Sequence, residues 1–206
     1  MGIRTNISSF VGHIISDKGI STDPEKLRRI QDWLRPHKQD EARSFPGYTT
    51  YYRKFIKKFA HIVEPLNKLF IKERQFHWSA EYKNSFKTIK VAIKDIITLS
   101  YPDFTKPFIV DCDASDFGVG GVLSQVVRPG VKQPVSYFSC TLSKPERKYA
   151  VTRKEMLALV DSLRHFRCYI LGRKFKVRTD HSALQWLTTF KEPADQVARC
   201  IERFAE

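Results

Sequence analysis

The segment at residues 108–125, FIVDCDASDFGVGGVLSQ, constrains the fold of this chain more than any other. It opens with an apolar run typical of a β-strand and then presents the acids Asp111, Asp113 and Asp116. A glycine-broken apolar run follows at 118–123. The pattern predicts a strand that carries carboxylates at its end, a tight turn and a second strand paired beside the first. Such carboxylates suit a divalent metal ion, because hard cations prefer oxygen ligands.

Positive charge is the second constraint. The chain has 206 residues, of which 42% are hydrophobic, and 36 basic against 22 acidic side chains give a formal net charge of +14. The hydrophobic content predicts a folded protein. The charge indicates a polyanionic partner, most often nucleic acid. No apolar run approaches the length needed to span a bilayer, so no membrane partner is predicted. The four cysteines form no CxxC pair, so zinc is not predicted.

Helical patterns dominate the chain before the central segment. The sequence predicts a hairpin at 9–22, a helix at 24–34 and a long amphipathic helix at 79–96. A further helical stretch begins near Asp40. We expect Pro46 to interrupt it, because proline removes a backbone hydrogen bond.

The segment 48–59, YTTYYRKFIKKF, combines two kinds of side chain at helical spacing. Its apolar stripe predicts core packing and consists of Tyr52, Phe55, Ile56 and Phe59. Its other face is basic and consists of Arg53, Lys54, Lys57 and Lys58. Two interpretations of the basic face stay open: a solvated surface, and a surface that follows nucleic-acid phosphates.

The second half of the chain alternates between the two kinds of element. After the two central strands, the sequence predicts a third strand at 134–138, a helix at 152–168 and a half-buried strand at 174–179. Helices are also predicted at 182–187 and 192–205. This order predicts an α/β unit.

Three acids lie where these elements begin or end. Asp113 ends the first strand, Glu155 lies in the first turn of the predicted helix, and Asp180 ends the fourth strand. If the first and fourth strands are neighbours and the helix packs over them, the three carboxylates converge. Two of these acids also have a structural explanation. A negative charge at Glu155 is favourable near a helix N-terminus, and Asp180 can serve as the N-cap of a following helix.

An ordered set of short motifs runs along the chain. The first motifs are FVGHIIS at 10–16, GISTDPEK at 19–26, YYRKFI at 51–56, FHW at 76–78 and YPDF at 101–104. Later motifs are DAS at 113–115, TRKE at 152–155, YILGRKF at 169–175 and RTDH at 178–181. The set resembles the end of a reverse transcriptase and its ribonuclease H domain, from the Pol polyprotein of Gypsy-class long-terminal-repeat retrotransposons.

The resemblance implies a particular fold and domain order. It implies an α/β fold, namely a ribonuclease H-like mixed sheet with flanking helices, C-terminally truncated and preceded by a mostly helical thumb segment. Residues 1–21 would end the reverse transcriptase palm with a primer-grip-like hairpin. Residues 22–75 would form a helical segment like the thumb or connection. Residues 76–206 would form the nuclease domain, lacking its last strand and helix.

The same resemblance implies the chemistry. The family's metal carboxylates map onto Asp113, Glu155 and Asp180, which leaves Asp111 and Asp116 as surface or supporting residues. They would hold two Mg²⁺ ions, with Mn²⁺ as a substitute. One ion activates a water and the other stabilises the leaving oxygen while the RNA strand of an RNA–DNA hybrid is cut.

The implied partners are nucleic acids and the rest of the polyprotein. RNA–DNA hybrid and primer–template duplex would be bound through phosphates and RNA 2′-hydroxyls. The expected contacts are Arg53, Lys54, Lys57, Ser115 and His181. The resemblance also implies an intracellular location, with the nucleus and a virus-like particle as alternatives to the cytoplasm.

Departures from the family leave more than one function open. No YxDD-type pair of aspartates occurs, so no polymerase active site is expected here, although the parent polyprotein is an RNA-directed DNA polymerase. The family's fourth carboxylate is also missing, since the surroundings of Asp195 do not match its segment. The chain is therefore either a ribonuclease H-type hydrolase or a weak or inactive nucleic-acid-binding remnant. A phosphatase of the haloacid dehalogenase type is disfavoured: VDCD at 110–113 fits its nucleophile strand loosely, but the later acidic pair with a lysine is lacking.

Overall fold

A computed structural model describes residues 8–10, 13–16, 19–68, 76–96 and 98–179. The strands are β1 (Ser8–Phe10), β2 (His13–Ser16), β3 (Gly19–Thr22), β4 (Phe108–Ala114), β5 (Gly118–Arg128), β6 (Val131–Thr141) and β7 (Phe175–Arg178). The helices are α1 (Pro24–Gln31), α2 (Gln39–Thr50), α3 (Phe59–Lys68), α4 (Ala80–Lys94) and α5 (Val151–Ile170), with 3₁₀ turns at Arg53–Phe55 and Glu146–Lys148. None of the described helices is long and apolar enough to cross a bilayer. The helices predicted at 182–187 and 192–205 lie outside the described residues.

The first part of the chain forms a small sheet and four helices. Strands β1, β2 and β3 pair antiparallel, so the predicted hairpin is confirmed and gains a third strand. Helix α1 starts as predicted, with the Asp23 carboxylate accepting from the Glu25 amide at 2.9 Å. It ends at Gln31, three residues before the predicted 34. The Lys90 ammonium donates to the carbonyls of Gln31 and Trp33, at 2.7 and 2.6 Å. Such carbonyls lack partners within the helix itself.

Pro46 does not interrupt α2, so that prediction is wrong. The helix is continuous from Gln39 to Thr50, and Pro46 is buried within it. The hydroxyls of Thr49 and Thr50 donate to the Pro46 carbonyl at 3.2 and 2.7 Å. The proline removes one backbone donor, but its ring lies on the buried face of the helix together with Ala42 and Phe45.

The spacing of the segment 48–59 predicted a helix, but the segment does not form a single helix. Helix α2 ends at Thr50, a 3₁₀ turn follows, and α3 begins only at Phe59. Between them Lys58 has a φ of 56°, and a left-handed residue cannot continue a right-handed helix. The predicted core residues are nevertheless buried: Tyr52, Phe55, Ile56 and Phe59.

Two apolar cores hold the chain together. The first lies among α1–α4. Helix α4 is capped by Ser79, whose hydroxyl accepts from the Tyr82 amide at 3.4 Å. The second lies between α5 and the central strands. On α5, Val160, Leu163 and Phe166 are buried, whereas Met156 and Leu159 are half-buried.

The four-stranded sheet has the order β6-β5-β4-β7. Strand β4 pairs antiparallel with β5 and parallel with β7. The first and fourth predicted strands are therefore neighbours, which meets one condition for the three acids to converge. Strand β6 is longer than the predicted 134–138, because it pairs with β5 along nearly all of its length. Strand β7 is exposed rather than half-buried, since it lies at the sheet edge and α5 packs over β4 and β5.

Helix α5 approaches the sheet closely at Gly121 on β5. A Cβ atom there would lie 2.3 Å from Ser162 Oγ and 3.3 Å from Phe166 Cε2, and both of these residues are fully buried. We expect Gly121→Ala to lower the free energy of unfolding by about 1–3 kcal/mol, as overpacking does. Chemical denaturation would measure it.

Gly120→Ala is the matched control for that change. Its added Cβ would meet only the Phe138 carbonyl oxygen, at 3.4 Å, an ordinary contact distance. Equal destabilisation by the two substitutions would contradict a tight contact between the helix and the sheet at Gly121.

Candidate functional site

The central strand β4 brings its acids to one end of the sheet. Phe108, Val110 and Cys112 are buried against α5. Because side chains alternate along a strand, Asp111 and Asp113 leave β4 on the opposite face. In the ladder Asp113 lies opposite Gly120 of β5, and Asp111 lies beside Arg178 of β7.

Asp113 is half-exposed and ion-paired. Its Oδ2 atom lies 2.5 Å from the Lys58 ammonium, which comes from the turn before α3. The next predicted site residue, Ser115, has a local structural role. Its hydroxyl donates to the Gly118 carbonyl at 2.9 Å and accepts from the Gly118 amide at 3.1 Å. Ser115 thus builds the tight turn between β4 and β5.

The other two acids of the segment are held by separate cations. Asp111 forms ion pairs with Lys132 of β6 and with Arg178 of β7, the latter at 2.6 Å. Asp116 accepts from the buried Lys154 ammonium at 2.7 Å, and this bond lowers the pKa of Asp116. These contacts agree with supporting roles for both acids.

Glu155 is buried near the same end of β4. It is 5% exposed, and no described group donates to its Oε2 atom, although the residue has another interaction. Burial raises the pKa of the Cys112 thiol to about 11, and the negative charges of Asp111 and Glu155 add to the effect. Because α5 begins at Val151, Glu155 lies beyond the first turn, which corrects the predicted position.

The structure therefore brings Asp113 and Glu155 to one end of β4, but from different faces of the sheet. The third predicted acid, Asp180, and the predicted contact His181 lie outside the described residues. Within the part of the chain that the structure describes, no group of three or more His, Cys, Asp and Glu side chains could hold a metal ion. The convergence of all three acids stays a prediction.

The predicted nucleic-acid contacts of the segment 53–57 lie in three different surroundings. Arg53 lies close enough to His165 of α5 that its charge, after burial, lowers the histidine pKa. Lys54 is half-buried, with its ammonium 5.3 Å from the centre of the Phe55 ring, and burial lowers its pKa. Lys57 is exposed and lines a groove beside Asp113.

That groove lies between the turn before α3 and the face of the sheet opposite α5. Its volume is about 950 Å³ and it is open to solvent. Its lining contains both acids of β4 and a set of basic side chains: Lys57, Lys58, His61, Lys132 and Arg178. Sequence reasoning did not assign Lys132 or Arg178 to the site, although Arg178 belongs to the RTDH motif.

Two of the three predicted acids lie among the described residues, and both are of the ligand type that a hard divalent cation binds. Asp113 offers exposed carboxylate oxygens, and the Lys58 ammonium already places a positive charge against one of them. Glu155 supplies a second carboxylate near the same strand end. Carboxylates are the ligands that Mg²⁺ and Mn²⁺ prefer.

Comparison with known proteins identifies the family. Residues 103–206 match the RNase H-like domain found in reverse transcriptase. The chain belongs to this family. The matched residues include β4–β7 and α5, which confirms the predicted family and fold class. The family generally depends on divalent metal ions.

The relatives are polyproteins of Gypsy-type elements. The chain is 38% identical to the retrovirus-related Pol polyprotein from transposon 297 of Drosophila melanogaster, over 97% of the chain and 18% of the polyprotein. It is 37% identical to that of transposon 412 of the same species, over 93% of the chain and 15% of the polyprotein. The Tf2-3 polyprotein of Schizosaccharomyces pombe is 35% identical over 91% of the chain and 14% of the polyprotein. The chain thus spans less than a fifth of these relatives.

Solved structures share the fold. The foamy viral protease-reverse transcriptase dRH in complex with double-stranded DNA superposes with a TM-score of 0.79 at 20% identity, over 97% of this chain and 36% of that one. The foamy viral protease-reverse transcriptase in complex with RNA/DNA hybrid gives a TM-score of 0.74 at 21% identity, over 96% of this chain and 28% of that one. The likeness covers both the helical segment and the RNase H-like domain.

Proposed function

We propose that this chain carries ribonuclease H-type activity, the metal-dependent endonucleolytic hydrolysis of the RNA strand of RNA–DNA hybrids. The position of Asp113 is the observation that supports this most. It stands half-exposed at the end of the central strand, beside the parallel strand β7. Asp111 of β4 and Arg178 of β7 are register partners. In the sequence, Asp113 follows Asp111 by two residues and Asp180 follows Arg178 by two residues.

Asp113, Glu155 and Asp180 are the proposed metal ligands. They would hold two Mg²⁺ ions, which Mn²⁺ could replace. Bound metal would supply the activated water and stabilise the leaving oxygen. The carboxylates act as oxygen ligands and need only stay ionised. Lys154 supports this arrangement, because its bond to Asp116 fixes the N-terminal end of α5, and with it Glu155, against the β4–β5 turn.

Nucleic acid is the proposed partner. The net charge of +14 and the basic groove lining suit a phosphate backbone. The foamy viral relatives were solved with double-stranded DNA and with RNA/DNA hybrid, which makes both reasonable ligands. We also propose the remainder of a Pol polyprotein as a partner, and an intracellular location. The proposed domain division of the chain is 1–21, 22–75 and 76–206.

A binding remnant without useful cleavage is the second candidate. It is favoured by the ion pair of Asp113 with Lys58, which neutralises a proposed ligand. Both candidates predict that hybrid is bound. Only the first predicts that bound RNA is cut.

One assay separates the two candidates. The purified chain is incubated with a hybrid labelled on the RNA strand, with Mg²⁺ or with a chelator, and its binding is followed by gel retention. RNA cleavage that requires the metal supports the enzyme. Hybrid retained on the gel without cleavage supports the remnant. Equal cleavage in the presence of the chelator would contradict the metal-dependent mechanism.

Hybrid binding should weaken steeply as salt rises, because phosphate contacts release counterions. Lys57, exposed in the groove, is the proposed contact to test. We expect Lys57→Gln to weaken binding by about threefold near 100 mM salt and to lower the slope of log affinity against log salt by about 1. Fluorescence anisotropy across a salt series measures both quantities.

Lys87→Gln is the matched control, because Lys87 is an exposed lysine on α4 that does not line the groove. We expect it to leave the slope unchanged. A flat salt response of the unmodified chain, or equal slopes for the two variants, would contradict a phosphate contact at Lys57.

A further inference from the structure

Lys58 occupies an unusual backbone position for a lysine. Its φ of 56° lies in the left-handed region, which costs a non-glycine residue energy. Its carbonyl accepts from the amides of His61 and Ile62 at 3.0 and 3.2 Å, so Lys58 closes the first turn of α3. The backbone therefore fixes the direction in which this side chain leaves the turn.

The turn that carries Lys58 is anchored to the four-stranded sheet. Phe59 and Ala60, which follow it, are buried. The Ala60 amide donates to the Ser139 hydroxyl of β6 at 2.8 Å. Gly118 of β5 adds to the fit, since a Cβ there would lie 3.5 Å from Ala60 Cβ. Lys58 is thus held beside the end of β4 by main-chain and core contacts, independently of its own ammonium.

We propose that Lys58 is a built-in counter-ion of Asp113 that competes with the divalent metal ion. The inference rests on the proposed function, in which Asp113 is a metal ligand. The ammonium lies 2.5 Å from Asp113 Oδ2. A divalent ion bound to this carboxylate would repel the ammonium at that distance, so the metal must displace Lys58 in order to bind.

This assigns the helical segment a part in the control of the nuclease site. Lys58 comes from the turn before α3, whereas Asp113 lies on the central strand of the RNase H-like domain. Any change that draws the lysine away, such as the arrival of a phosphate in the groove, would free the carboxylate. Metal affinity then depends on how the helical segment lies on the sheet.

Metal binding without nucleic acid tests the inference. Free Mn²⁺ is titrated into the full chain and followed by electron paramagnetic resonance, for the unmodified protein, Lys58→Asn and Lys87→Gln. Asparagine removes the charge yet tolerates a left-handed backbone. We expect Lys58→Asn to bind Mn²⁺ about three- to tenfold more tightly at low salt, with a smaller gain at high salt. Lys87→Gln removes the same charge at an exposed lysine that does not line the groove, and it should change the affinity less than about twofold.

Asp113→Asn separates the two possible failures. If it binds Mn²⁺ as well as the unmodified chain does, both the proposed metal site and this inference are wrong. If Asp113→Asn loses binding while Lys58→Asn matches the unmodified chain, only the counter-ion is overturned. Lys58→Gly, whose backbone accepts a positive φ, repeats the test should Lys58→Asn fold poorly, and thermal melts check folding in each case.

Discussion

Replacing Gln125 with leucine is expected to lower the free energy of unfolding by about 2–4 kcal/mol. Gln125 is 3% exposed, and its amide makes three hydrogen bonds to the backbone of the turn before β4. Its Nε2 donates to the carbonyls of Asp103 and Lys106 at 2.8 and 3.1 Å, and its Oε1 accepts from the Asp103 amide at 2.8 Å. Leucine has a similar size, so the loss comes mainly from buried backbone groups without partners.

Gln133→Leu is the control for that change. Gln133 is the register partner of Gln125 on β6, but its side chain is exposed. We expect a change within about 0.5 kcal/mol, as for most surface substitutions. Denaturant titration of the two variants measures the difference. Equal losses, or a loss below about 1 kcal/mol for Gln125→Leu, would contradict the role of this side chain.

The hydrogen bonds of Gln125 join strand β5 to the turn that begins in the YPDF motif. The YPDF motif turns at Asp103, whose carboxylate accepts from the hydroxyl and amide of Thr105 at 2.6 and 3.0 Å. These bonds lower the pKa of Asp103 to about 2. The glutamine that ends the GVLSQ run then ties this turn to β5. The turn before β4 and strand β5 are thus one hydrogen-bonded unit.

Local patterns were sufficient for much of the fold. The carboxylate-bearing strand, the turn at Ser115 and the paired β5 follow from an apolar run, a turn signal and glycines in sequence. The caps at Asp23 and Ser79 follow from the chemistry of helix starts. The first and fourth strands, whose adjacency is a condition for the predicted acids to converge, do pair, and they run parallel.

Contacts between distant residues could not be predicted from such patterns. Pro46 stays within α2 because of burial, which its own sequence context does not show. Lys58 has a left-handed backbone within a stretch whose spacing predicted a helix. Its ammonium forms an ion pair with Asp113, which the sequence pattern does not show. Lys132 and Arg178 meet Asp111 only because β6 and β7 lie in the same sheet as β4.

Asp113→Asn is expected to slow hybrid cleavage by about 100-fold or more. Asparagine keeps the shape of the side chain but removes the negative charge that would hold a divalent ion. Asp111→Asn is the matched control, since it makes the same change two residues earlier on the same face of β4. Its carboxylate is ion-paired to Lys132 and Arg178, so we expect cleavage within about threefold of the unmodified chain.

The most direct test of Asp113 as a metal ligand for RNA cleavage is the cleavage rate of the unmodified chain, Asp113→Asn and Asp111→Asn. The rates are measured at saturating Mg²⁺, and thermal melts check that each protein is folded. The account predicts similar rates for the unmodified chain and Asp111→Asn, and a rate at least about 100-fold lower for Asp113→Asn. Cleavage by Asp113→Asn at the unmodified rate, or an equal loss in Asp111→Asn, would contradict it.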